Sequence, residues 1–229
     1  MAVGREIKTK IASIKNTQKI TGAMEMVAAS KMRRAQDLME LTRPYALRVR
    51  QVIGHIANSH SEYRHRYLER NDNPKRVGYI VVTSDRGLCG GLNINLLKLL
   101  LRDMKRRKEA GIESEVCTIG TKGNVFLRRI HANIVGAIRN IGDKPIITDL
   151  IGVAKVMTDR FESGEIDAVY LCYNNFINTM AQEPVIEQLL PLQMAENDSS
   201  KHYWDYIYEP DAQELLDALL VRFIESQIY

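Results

Sequence analysis

Ser84-Asp85-Arg86-Gly87-Leu88-Cys89-Gly90-Gly91-Leu92-Asn93 follows an apolar run, Val77-Gly78-Tyr79-Ile80-Val81-Val82-Thr83, and leads into a stretch of helix formers from Leu92 to Glu109. Seven residues rich in Val and Ile with no polar alternation fit a strand buried on both faces. The glycine-rich segment is therefore a strand-to-helix turn, the place where α/β proteins commonly cradle phosphate. Its spacing does not fit that chemistry. A P-loop needs GxxxxGK[ST], and after Gly87 the chain runs LCGGLN, without the Lys and the Ser/Thr. Gly87, Gly90 and Gly91 are spaced +3 and +1, so GxGxxG fails as well, and no acidic residue ends the next strand to hold a ribose. The segment reads as a structural turn whose amides could at most form a weak anion nest.

Outward from this turn the chain alternates between strand and helix signals. Glu115–Gly120 reads as a second strand, Lys122–Arg129 as a short helix, Asn133–Ile138 as a third strand and Ile146–Glu162 as a helix stopped by Gly164. Ala168–Tyr173 is a fourth strand, and Val185–Leu192 a fifth paired with residues 168–178. That alternation predicts an open, Rossmann-like, mostly parallel sheet with helices on both faces, a three-layer α/β domain over 75–195. A polar loop at 195–201 and the segment Trp204–Tyr208 precede a last helix from Asp211 to Tyr229, with Leu216, Leu219, Phe223 and Gln227 along one stripe.

The N-terminal 70 residues differ in kind. From Glu6 to about Ala57 helix formers dominate, interrupted by Gly22, Pro44 and Gly54. Alternating steps of four and three from Ile7 through Ile11, Ile14, Met32, Met39, Val49, Ile53 and Ile56 trace a coiled-coil seam that loosens at Gln18, Thr21 and Glu25. About 55 residues at 1.5 Å each make a rod of roughly 80 Å, too long for a globular core. Pro44 is expected to bend the helix without ending it.

Charge is uneven along the chain. Residues 1–56 carry a net +7 and the remainder −3, so the basic partner surface belongs to the arm. No apolar run approaches the roughly 20 residues of a membrane span. MAVGREIKTK lacks the apolar core of a secretory signal. Cys89, Cys117 and Cys172 are too dispersed for a CxxC site and are expected to be free thiols in a reducing compartment. His55, His60 and His65 recur every five residues, about 140° apart on a helix, which favours solvated histidines over a metal site. Asp85 and Arg86 are adjacent, which does not make them a catalytic pair. No catalytic, cofactor-binding or metal-binding residue is expected.

KIASIKNTQKITGAMEMVAASKMRRAQ in the first helix, TSDRGLCGGLN after the first strand, and the later INTMAQEP and WDYIYEPD together resemble the γ subunit family of F-type ATP synthases, in its bacterial form. These blocks run in the family's order from residue 8 to residue 211. The resemblance implies a central-stalk rotor whose N- and C-terminal helices form an antiparallel coiled coil inside a ring of α and β subunits. It implies further contacts with the ε subunit and the c-subunit ring, at the cytoplasmic face of the inner membrane. Nucleotide chemistry would occur on the ring and not on this chain. Met24, Lys31, Arg33 and Arg34 would face acidic β-subunit loops, and Tyr206, Tyr208 and Glu209 would lie near the foot on the c ring. The family's longer C-terminal helix makes this chain read as C-terminally truncated, with 209–229 as the start of that helix. Two other readings compete: a nucleic-acid binder using the basic arm, disfavoured because the seam is apolar and no aromatics interleave the positive face, and a nucleotide-dependent enzyme, disfavoured by the failed motifs.

Overall fold

The computed structural model of the chain describes the backbone of residues 2–59, 65–69, 71, 73–142, 145–192 and 212–228, and the side chains of 4–40, 65–69, 71, 73–142, 145–192 and 217–228. It divides into two compact units, Met1–Arg48 and Val49–Tyr229.

The first unit is one helix. α1 runs from Ala2 to Ser59 and continues through Pro44 as helix. Threonine hydroxyls bond back within the helix: Thr9 Oγ1 donates to the Arg5 carbonyl (3.0 Å) and Thr21 Oγ1 to that of Thr17 (2.9 Å). The seam's large side chains stand open to solvent, with Ile7 51%, Ile11 49% and Ile14 68% exposed. A row of isoleucines left in water is a face shaped for burial, since each would contribute roughly 1.5–3 kcal/mol if covered.

The second unit is built on a five-stranded sheet of order β3-β2-β1-β4-β5. Its strands are β1 (Arg76–Val82), β2 (Glu113–Ile119), β3 (Asn133–Ile138), β4 (Ala168–Asn178) and β5 (Ala181–Leu190). β1, β2, β3 and β4 are mutually parallel, and β5 returns antiparallel beside β4. The helices are α2 (Leu92–Glu109), α3 (Thr121–Arg129), α4 (Ile147–Glu162) and α5 (Ala212–Ile228).

Period-two alternation explains why both faces are buried. Val77, Tyr79 and Val81 of β1 join Leu96, Leu97 and Leu100 of α2 and Leu127 of α3 in one core. Ile80 turns the other way, into a core with Val153 and Met157 of α4 and Leu220 and Phe223 of α5. α2 ends as its glycine predicts. Gly111 adopts φ +78°, its N–H bonds the Lys108 carbonyl (3.0 Å), and the Ile112 N–H bonds that of Arg107 (2.9 Å), a Schellman closure.

Three expectations are corrected. β4 and β5 extend to Asn178 and Ala181, because a backbone ladder carries the polar stretch Asn174–Asn178 that side-chain patterning alone would end. The Asn178 Oδ1 atom closes the hairpin by accepting from the N–H groups of Met180 (2.8 Å) and Ala181 (2.9 Å). The buried face of α5 holds Leu220, Phe223, Ile224 and Ile228: it includes Phe223 of the expected stripe, has the partly buried Leu219 at its edge, and extends beyond that stripe to Leu220, Ile224 and Ile228. Leu216 lies outside the described side chains.

His65 is not solvated. Its Nδ1 accepts the Tyr67 N–H (3.0 Å) at the start of a 3-10 turn, and its Nε2 lies 3.5 Å from Asp217 of α5. Burial, opposed by Asp217, Glu162 and Glu69, holds its pKa below the ordinary histidine value. His55 and His60 lie outside the described side chains.

Candidate functional site

The glycine-rich turn sits where a doubly wound sheet would place a ligand, beyond the carboxyl ends of β1, β2 and β3. Ser84 and Asn93 tie its two ends together. Asn93, 8% exposed, accepts the Ser84 N–H through Oδ1 (3.1 Å) and donates through Nδ2 to Ser84 Oγ (2.8 Å) and Cys89 Sγ (3.3 Å). The tip is held in an unusual backbone: Leu88 has φ +65° and Gly90 φ +59°. Leu88 is a large apolar side chain in a left-handed conformation and is 94% exposed.

Asp85 organises the loops around this turn. Its Oδ1 accepts from the Thr121 N–H (2.9 Å), the Thr121 hydroxyl (2.7 Å) and the Asn140 N–H (3.0 Å). Its Oδ2 accepts from the Gly142 N–H (3.2 Å). Partial burial raises the pKa of this carboxyl, but the four hydrogen bonds together outweigh burial and hold it below the usual carboxylate range. The partner of Asp85 is thus the backbone of two neighbouring loops, not Arg86. Sequence reasoning missed this role. The available signal was an acid three residues beyond the last residue of β1, beside the amino end of α3.

A cavity of about 470 Å³ opens beside Asp85, lined by Thr83, Ser84, Arg86, Asn140 and Gly142 among others, with Ile228 of α5 at its wall. Among the described residues no group of three or more His, Cys, Asp or Glu side chains could hold a metal ion.

The partner-interface residues expected on the arm lie on α1 in the first unit. Met24 is 48% exposed, and Lys31, Arg33 and Arg34 are exposed too. At 100° per residue, Lys31 returns to the face of Met24, Arg34 flanks it by about 80°, and Arg33 points about 180° away. The basic residues therefore ring the helix, and only Lys31 aligns with Met24. Tyr206, Tyr208 and Glu209 lie outside the described residues.

The thiols differ in access. Cys89 is partly exposed at the turn, while Cys117 and Cys172 are buried in the sheet. Burial, relieved in part by Arg160 and reinforced by Glu115, pushes the Cys117 thiol up to about 12. Burial raises Cys172 as well. A thiol-disulfide reagent is expected to label one cysteine in the native chain and three after denaturation without reductant. Two native labels, or fewer than three in denaturant, would contradict this arrangement.

A family model described as ATP synthase matches residues 4–229. The "ATP synthase gamma chain" of Coxiella burnetii strain Dugway 5J108-111 is 55% identical over 230 residues, covering 100% of this chain and 80% of that protein. The chain belongs to the ATP synthase gamma chain family. The gamma chain of Coxiella burnetii strain RSA 493 matches to the same extent. A chain of the Tetrahymena thermophila mitochondrial ATP synthase central stalk and c-ring superposes with TM-score 0.64 at 22% identity, over 92% of this chain and 89% of that one, a likeness of fold. In this chain the amides of Thr121, Asn140 and Gly142 beside the glycine-rich turn are taken up by the carboxylate of Asp85.

Proposed function

We propose that this chain is the central-stalk rotor subunit of an F-type, proton-translocating ATP synthase, coupling rotation to nucleotide chemistry at an α/β ring without catalytic residues of its own. The observation that carries the reading is gamma-chain similarity over the whole of this chain combined with a 58-residue helix bearing an exposed apolar seam. Residues 1–70 would form the shaft, 75–195 the α/β domain, and 209–229 the start of the C-terminal coiled-coil helix. The partners would be the α and β subunits, ε and the c ring, at the cytoplasmic face of a bacterial inner membrane. No described helix is long and apolar enough to cross a membrane, so attachment would run through those partners.

An asymmetric shaft can bias three identical catalytic subunits only through contacts that differ among them, since a partner shifts an equilibrium by its differential interaction. Met24, beside the loosened part of the seam, and the basic ring of Lys31, Arg33 and Arg34 are the proposed contact residues toward acidic β loops. A positive charge at Met24 would add an attraction that does not vary productively with rotation. In the assembled enzyme Met24→Lys is expected to preserve ATP hydrolysis while protons pumped per ATP fall severalfold, measured in membrane vesicles. Unchanged coupling in an assembled Met24→Lys enzyme would remove Met24 from the interface. ATP hydrolysis by the isolated chain, abolished by changing Asp85 or Gly90, would overturn the rotor reading itself.

A further inference from the structure

We infer that Asp85 is an internal anion seated in a phosphate-type nest, and that removing its carboxylate uncovers a binding site for inorganic phosphate among the loops after β1, β2 and β3. This site is independent of any role as a rotor.

The donors come from two separate loops. Thr121 contributes its N–H and its hydroxyl at the amino end of α3, and Asn140 and Gly142 contribute N–H groups after β3. Both residues of the second loop are left-handed, Asn140 at φ +58° and Gly142 at φ +77°. A non-glycine residue held there is uncommon, and the turn it makes aims two amides at one point. An anion already occupies that point: the tethered carboxylate of Asp85. Two cations belong to the same group of loops. Arg86 lines the adjoining cavity, and the Lys122 ammonium lies close enough to Gly87 that a Cβ there would be 3.8 Å from it.

With the side chain cut back to Cβ, the donors would face the cavity of about 470 Å³ that already opens on Asn140 and Gly142. A phosphate ion entering from that cavity would stand further from Cβ than the carboxylate oxygens do, in contact with the remaining methyl group, and present oxygens to the same donors. In the native chain the aspartate's negative charge and its hydrogen bonds exclude such an ion. A position suited to a ligand thereby serves instead as an internal tie across three loops.

The test compares the full chain with Asp85→Ala in thermal melts from zero to 50 mM inorganic phosphate, with chloride holding ionic strength constant. The variant is expected to melt below the native chain and to recover about 4 °C in phosphate, while the native chain moves by less than about 1 °C. No phosphate-specific recovery in a folded variant, or equal recovery in the native chain, would overturn the inference. Should Asp85→Ala fail to fold, Asp85→Asn supplies the second measurement. Its amide group sets an N–H against the nest, and exchange at the Thr121, Asn140 and Gly142 amides is expected to quicken about tenfold relative to β1. Unchanged protection at all three would show that Asp85 does not fill the nest.

Discussion

Gly120→Ala is expected to cost more than about 4 kcal/mol, enough to leave the α/β unit largely unfolded, because the new methyl group has nowhere to go. Gly120 follows β2 with φ +96°, and an added Cβ would lie 2.0 Å from the Thr83 carbonyl oxygen and 2.7 Å from its carbon. Neither backbone can yield easily. The Thr83 N–H is bonded to the Ile119 carbonyl (2.8 Å), and the Gly120 N–H to that of Ile138 (2.9 Å), so separating the strands breaks the ladder on both sides of β2. The clash would also spread to the Thr83 hydroxyl, which accepts the Gly123 N–H at the start of α3 (2.9 Å). Gly111→Ala separates conformational strain from collision. Gly111 is left-handed at φ +78° with nothing within 4 Å of its Cβ position, so the substitution should cost only about 1–2 kcal/mol. Urea unfolding of the two variants decides the matter. Gly120→Ala as stable as Gly111→Ala would mean that the β1–β2 junction can open without loss.

The second large effect concerns how the C-terminal helix is anchored. Phe223 of α5 is 4% exposed within the core shared with α4, alongside Leu220, Ile224 and Ile228. Truncating a buried phenylalanine removes its transfer free energy and leaves a cavity, so Phe223→Ala should cost about 3–5 kcal/mol. Val221, one face away and 45% exposed, should tolerate alanine within about 0.5 kcal/mol. Hydrogen exchange across residues 217–228 should quicken in the Phe223 variant more than in the strands, since the missing ring is part of what holds α5 down. Equal costs for the two substitutions would mean that α5 is not docked by this face.

Much of the fold is determined locally. The run Val77–Thr83 can bury both faces only as an inner strand, and β1 is the middle strand of the five. Helix propensity and the stop signals at Gly111 and Gly164 sufficed to place α2 and the end of α4, because a helix depends on neighbours no more than four residues away. The failed phosphate motifs were equally legible, since they require particular side chains at particular spacings.

What required the tertiary structure were relations between distant segments. The length of the β4–β5 ribbon rests on cross-strand hydrogen bonds that side-chain patterning does not encode. The buried face of α5 was read only in part: Leu219 and Phe223 of the expected stripe do pack on the core, but packing in that core carries the face on to Leu220, Ile224 and Ile228. His65, in a polar sequence, is half-buried, with Asp217, 152 positions later, beside it. Asp85 makes the same point at the candidate site. Beside Arg86 in sequence it resembles half of an ion pair, yet its partners are amides 36, 55 and 57 residues away, converging where β2 and β3 end. Local sequence determines which elements form; convergence of loops from separate strands arises only once the sheet has set their order.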